Sequence, residues 1–187
     1  MDTSSSSPVP ADPPDGAPLE TPDEAQREAP SETRLETVAE QRDAIDRLIG
    51  LARERICVFD RSLDRVGWDS PARADALTAF LRRAPQARLE IIVHDTRWIE
   101  TSCPRLTNLL RRFGHAMTLY KTGAGAQGVT DPLIVVDGRH YLHRYHVDQP
   151  RATLAIDMPQ AARPLLTRFE EIWATGEPGL SGTTLGL

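Results

Sequence analysis

Cysteine, lysine and aromatic residues are all scarce in this chain of 187 residues, and each shortage removes a class of protein. Two cysteines, Cys57 and Cys103, are too few for a disulfide framework and are not spaced as a metal pair. Lys121 is the only lysine, so the Lys-rich runs of a nucleic-acid-binding surface are missing. Aromatic residues make up 5% of the chain, which leaves few platforms for stacking bases; nucleic acid is therefore not an expected partner. A continuous apolar span of about eighteen residues or more is absent, so no membrane span is expected. The N-terminus has neither the basic start nor the apolar run of a secretory signal, and a cytoplasmic protein is the default.

What is present is an uneven charge. Residues 1–30 hold seven of the 27 acidic residues against one base, Arg27, together with seven of the fifteen prolines and the Ser4–Ser7 run. Such a segment buries too little apolar surface to offset its ordering entropy. The expected organisation is a disordered acidic tail over 1–32, a folded domain over 33–178 and a flexible C-terminal tail over 179–187. The net charge of −5 belongs to the tail, because the rest of the chain is near neutral at +1. Its basic side is almost purely Arg, which suits either a GC-rich genome or guanidinium recognition of anions.

Periodicity orders the domain. Leu35, Val38, Ile45, Leu48, Ile49 and Ala52 recur at helical steps, predicting a helix from Thr33 to Arg53. Arg55–Phe59 reads as a strand, Ser70-Pro71 opens a helix that stops before Pro85, and Leu89–Val93 is the next strand. A helix over Pro104–Phe113, a strand over Met117–Lys121 and a flexible loop over Gly123–Gly128 follow. Asp137-Gly138 suits a type I′ turn between strands Pro132–Val136 and Arg139–Tyr145. A strand over Ala152–Asp157 and a helix over Pro159–Trp173 complete the pattern. Helices and strands alternate first and strands then run together, which predicts an α/β fold: a mixed β-sheet flanked by helices on both faces.

From Thr130 to Trp173 the chain resembles one half of the phospholipase D superfamily. That family carries His-x-Lys-x4-Asp on a strand, Gly-Ser-x-Asn six residues later, and a closing Phe-x-x-x-Trp on a helix. Leu133–Gly138 matches the strand and turn, and Phe169-Glu170-Glu171-Ile172-Trp173 matches the helix ending. The catalytic positions do not carry over. The family's His falls on Thr130, its Lys on Pro132, its Gly-Ser pair on Arg144 and Tyr145, and its Asn on Val147; only the Asp is kept, as Asp137. Phosphodiester cleavage of that kind needs one imidazole to attack phosphorus, another to protonate the leaving oxygen, and Lys to stabilise developing charge. The resemblance thus implies a phospholipase D-like half without that chemistry, in an uncharacterised bacterial group, and a homodimer that brings two halves together.

Other candidates are weighed on spacing. His140, His143 and His146 fall within seven residues, but alternation on a strand turns His143 away from the other two, so no metal is expected. No cofactor is expected either. His94-Asp95 ends a parallel-type strand, where open α/β sheets bind ligands; alternatively Asp95 caps the next turn with Thr96. Arg105 and Arg112 share a helix face, and Arg144 stands where the family has a small residue. With His94, Asp95 and Asp137 they form a candidate anion site, or else Arg144 pairs internally with Asp137 or Asp95. The expected function is a non-catalytic binding or scaffolding module for a protein partner or a small anion. The alternative is a phosphoesterase or nuclease with a relocated site built from His94, Asp95, Asp137 and a neighbouring His.

Overall fold

Eight strands form one mixed sheet in the computed structural model, which describes residues 28–180. The strands are β1 (Ser31–Leu35), β2 (Arg55–Asp60), β3 (Arg88–Val93), β4 (Met117–Lys121), β5 (Leu133–Val136), β6 (His140–Arg144), β7 (Ala152–Ile156) and β8 (Glu177–Leu180). The helices are α1 (Val38–Leu51), α2 (Pro71–Arg83), α3 (Arg97–Ser102), α4 (Pro104–Arg112) and α5 (Pro159–Ala174). Strand order is β1-β7-β6-β5-β2-β3-β4-β8. β2, β3 and β4 run parallel, and every other neighbouring pair is antiparallel.

The parallel strands are buried on both faces, because the crossover helices cover one face with α1 and α5 covers the other. Ile56 and Val58 of β2 face the core under α1 to α4, while Cys57 and Phe59 face the core under α5. Helix starts follow their local chemistry. Thr37 and Glu40 form a reciprocal capping box on α1, and Ser70 caps α2 with Pro71 in its first turn. The Asp137-Gly138 turn has φ of +52° and +65°, the left-handed pair that a type I′ hairpin requires. Phe169 and Trp173 of α5 stack 5.5 Å apart, and Trp173 stacks on Tyr120 of β4 at 4.5 Å. The Phe-x-x-x-Trp signature is therefore the contact that seats α5 on the sheet.

Three elements depart from the sequence reading. The first helix begins at Val38, and Ser31–Leu35 is an edge strand on β7. Residues 31 and 32, expected in the tail, thus belong to the sheet. Four of the five β1 residues are exposed, so no apolar alternation marks the strand. β8 is likewise an edge strand containing Pro178 and Gly179, which takes 179 and 180 out of the expected C-terminal tail. The third departure, α3, is six residues long and lacks a side-chain cap. The expected disorder of 1–27 and flexibility of 181–187 fall outside the described residues.

Candidate functional site

The carboxyl ends of β2, β3 and β4 open into a cleft of about 700 Å³. Its walls include Arg61 after β2, His94 to Arg97 after β3, Lys121 at the end of β4, and the Gln127–Pro132 segment that leads into β5. The carboxyl ends of parallel strands are where open α/β sheets hold ligands. Backbone bonds from Val147 to the Thr130 carbonyl (2.7 Å) and from Arg144 to the Pro132 carbonyl (2.9 Å) fix one wall. Thr130 and Pro132 thus line the cleft themselves, while neither offers an imidazole or a charge.

His94 is the imidazole that lines this cleft, and both of its nitrogens are engaged. Nε2 lies 2.7 Å from the Val129 carbonyl, which can only accept, so Nε2 carries the proton. Nδ1 lies 2.7 Å from the Thr122 hydroxyl, which donates to it while receiving a bond from the Gln127 amide at 3.0 Å. Phe59 meets the ring edge-on at 5.2 Å. The imidazole is held as a tie between β3, β4 and the 122–129 segment, with no lone pair turned to the cleft. Asp95 accepts bonds from the Arg97 backbone N–H (2.9 Å) and from its guanidinium (2.5 to 3.0 Å). Those bonds hold its carboxyl down to about 2. The turn-capping alternative for Asp95 describes this geometry, with Arg97 as its partner; Thr96 instead bonds Glu100.

The remaining sequence candidates do not converge here. Arg105 binds Asp69 through its backbone N–H (2.7 Å) and its guanidinium (3.1 Å) at the start of α4. Arg112 lies over the Phe113 ring at 5.3 Å. Arg144 is buried, and its partner is Asp60, at 3.1 Å, in place of the expected Asp137 or Asp95. Its second terminal nitrogen bonds the Val147 carbonyl at 2.6 Å. Arg144 therefore ties β6 to the end of β2 beneath the cleft. Asp137 sits at the opposite edge of the sheet and accepts the backbone N–H groups of Arg53, Glu54 and Arg55 at 2.8 to 2.9 Å. Tyr145 bonds Thr153, and Val147 lines the cleft.

His140 and His143 point to opposite faces of β6, and His146 lies beyond the strand in the following turn. Among the described residues no group of three His, Cys, Asp or Glu side chains is placed to hold a metal. The sequence reading missed Arg61 and Lys121 as cleft residues. Both follow directly from the rule that ligands meet the carboxyl ends of parallel strands. The Lys121 ammonium makes no hydrogen bond or close salt bridge with a described residue, and its charge acts at longer range on Asp95.

A family model described as a domain of unknown function, DUF7931, matches residues 37–181. No curated protein matches the sequence. Among solved structures, Nuc from Salmonella typhimurium, a phospholipase D family member, superposes with a TM-score of 0.60 at 17% identity. That match covers 82% of this chain and all of Nuc. NucT from Helicobacter pylori gives 0.55 at 14% identity, covering 81% of this chain and all of NucT. TrmBL2, an archaeal chromatin protein described as binding DNA, gives 0.59 at 11% identity over 86% of this chain and 56% of its own. The fold is phospholipase D-like, a mixed sheet between helical layers, as the sequence reading expected.

Proposed function

Because the chain belongs to the DUF7931 family and has a phospholipase D-like fold, we propose that it is a non-catalytic binding module whose carboxyl-edge cleft holds an anionic ligand. One observation carries this reading: the cleft's imidazole, His94, has both nitrogens committed to Val129 and Thr122. A nucleophile needs a free lone pair, and a general acid needs its proton turned to the substrate. His94 offers neither, and Thr130 and Pro132 supply no replacement. What the cleft does present is cation. Lys121 makes no close salt bridge among the described residues and feels only the longer-range charge of Asp95, and the Arg61 guanidinium meets the exposed Asp148 at 3.2 Å. A small phosphate-like anion suits such a surface. A protein that carries the anion fits the same chemistry.

The test pairs binding with turnover on the full chain. Inorganic pyrophosphate, measured by calorimetry, should bind saturably, and Lys121→Ala should weaken it about tenfold, the loss of one charge-assisted bond. No hydrolysis of an activated phosphodiester above the buffer rate is expected. Turnover that disappears in His94→Ala would overturn the non-catalytic reading and favour the relocated enzyme. A DNA duplex is a necessary third arm, since Nuc and NucT share the fold with the DNA-binding TrmBL2. Saturable duplex binding at physiological salt would overturn the exclusion of nucleic acid. The homodimer and the cytoplasmic location belong to the same proposal. No helix among the described residues is long and apolar enough to cross a membrane.

A further inference from the structure

The opposite edge of the sheet carries a second groove, of about 350 Å³, between the start of β2, the β5–β6 turn and the start of α5. We propose that this groove binds a basic amino-acid unit, a guanidinium or ammonium group carried close to a carbonyl acceptor. A volume of this size lies within the usual range for small-molecule sites, about 300–1,000 Å³. Four carboxylates line it, those of Glu28, Glu54, Asp137 and Asp157, against the guanidiniums of Arg53 and Arg139. Most of these are spoken for. Asp137 accepts three backbone N–H groups, Glu28 pairs with Arg47, and Asp157 lies 3.2 Å from the Arg139 guanidinium, though its buried Oδ1 accepts no hydrogen bond. Glu54 is exposed, and its carboxylate has no described partner.

The groove has a built hydrogen-bond donor as well. His140 is 7% exposed, and its Nδ1 accepts the Asp157 backbone N–H at 2.9 Å. The proton of the neutral ring must then sit on Nε2, which has no partner among the described residues and belongs to a ring that lines the groove. A metal ion is a poor occupant, because Nε2 carries hydrogen where a metal needs a lone pair. Burial also pulls the His140 pKa below its ordinary value of 6.5, so the ring donates without adding a positive charge. One neutral donor and one carboxylate without a described partner on the same groove call for a ligand that accepts at one end and is cationic at the other. A simple anion would meet Glu54 and the other carboxylates, and a bare cation would leave the groove's His140 N–H donor unused.

This site stands on different residues from the carboxyl-edge cleft, so each can fail alone. The test titrates the full chain with L-argininamide, with the blocked peptide acetyl-Gly-Arg-Gly-amide, and with agmatine, which keeps both cationic groups of argininamide and lacks its carbonyl. Argininamide or the peptide should bind saturably, and agmatine about tenfold more weakly. A tighter peptide would identify a polypeptide segment as the source, and a tighter argininamide a free amino acid. Glu54→Gln should weaken binding about tenfold. His140→Asn should do the same, because Asn keeps an acceptor for the Asp157 N–H while losing the Nε2 donor. Circular dichroism checks that this buried variant is folded, and Glu54, being exposed, gives an independent reading if it is not. No saturable binding, equal binding of agmatine, or unchanged affinity in Glu54→Gln would each overturn the proposal.

Discussion

Asp137 stands in left-handed backbone and spends its carboxylate on three N–H groups where the chain passes from α1 into β2. The sequence already favoured a turn for Asp137-Gly138, while the receiving N–H groups, more than eighty positions earlier, carry no local signal. Asp137→Ala removes three charge-assisted bonds and strains the positive φ, so it should cost about 3 kcal/mol in urea unfolding. Asp137→Asn tolerates that φ and keeps one acceptor oxygen, and should cost about half as much. Neither should change pyrophosphate affinity at the far edge. His140 gives a pH signature in the same assay. Burial lowers its folded pKa below 6.5, so the unfolded chain takes up the proton first as pH falls. Its contribution is therefore complete above 6.5, declines as pH drops from there to the lowered folded value, and then levels off. Thermal midpoints measured from pH 7.5 to 5 should fall less steeply in His140→Asn than in the parent chain.

At the scale of elements, what packs deeply was legible and what lies at an edge was not. β2, β3, α2, α4 and α5 follow their apolar periods and Pro starts, because burial wrote those periods into the sequence. The edge strands β1 and β8 need no apolar face, and charged residues or proline suit strands that must not pair further. The 123–128 segment is the instructive miss. Its glycines suggested flexibility, yet it includes a 3-10 turn and is bonded at both ends. The Gly123 N–H donates to the Thr175 carbonyl at 3.1 Å, and the Gln127 amide donates to the Thr122 carbonyl at 2.9 Å. Gly123 permits a close approach, since a Cβ there would run into the Thr175 carbonyl oxygen. Thr122 and Val129, the partners of His94, flank the segment on either side, so this approach positions one wall of the cleft. Gly123→Ala should destabilise the domain by about 1–3 kcal/mol, the usual cost of overpacking. It should also weaken pyrophosphate binding, whereas Gly128→Ala, with open space at its Cβ, should do neither. Unfolding and calorimetry on the two variants separate these outcomes.

Across the whole molecule, the sheet separates two polar openings of opposite character. Lys121 and Arg61 mark the carboxyl edge, and Glu54 with His140 marks the amino edge. Arg144 could be singled out in the sequence as a large cation in place of a small residue. Its role could not, since Asp60 lies 84 positions away and only the fold brings the two together. A buried ion pair of this kind is weak evidence for stability, because desolvating both charges offsets their attraction. β2 runs from one opening to the other, roughly 16 Å at about 3.3 Å per residue. At physiological salt the Debye length is about 8 Å, so charge at one edge is largely screened from the other. Coupling between the two sites should therefore be negligible, and by linkage this holds in both directions. Saturating argininamide should leave pyrophosphate affinity within about twofold, a coupling of less than about 0.5 kcal/mol. Lys121→Ala should leave argininamide binding intact, and Glu54→Gln should leave pyrophosphate binding intact. A change of tenfold in either direction would mean that the sheet itself shifts between two states, and would replace the picture of two independent openings with that of one coupled domain.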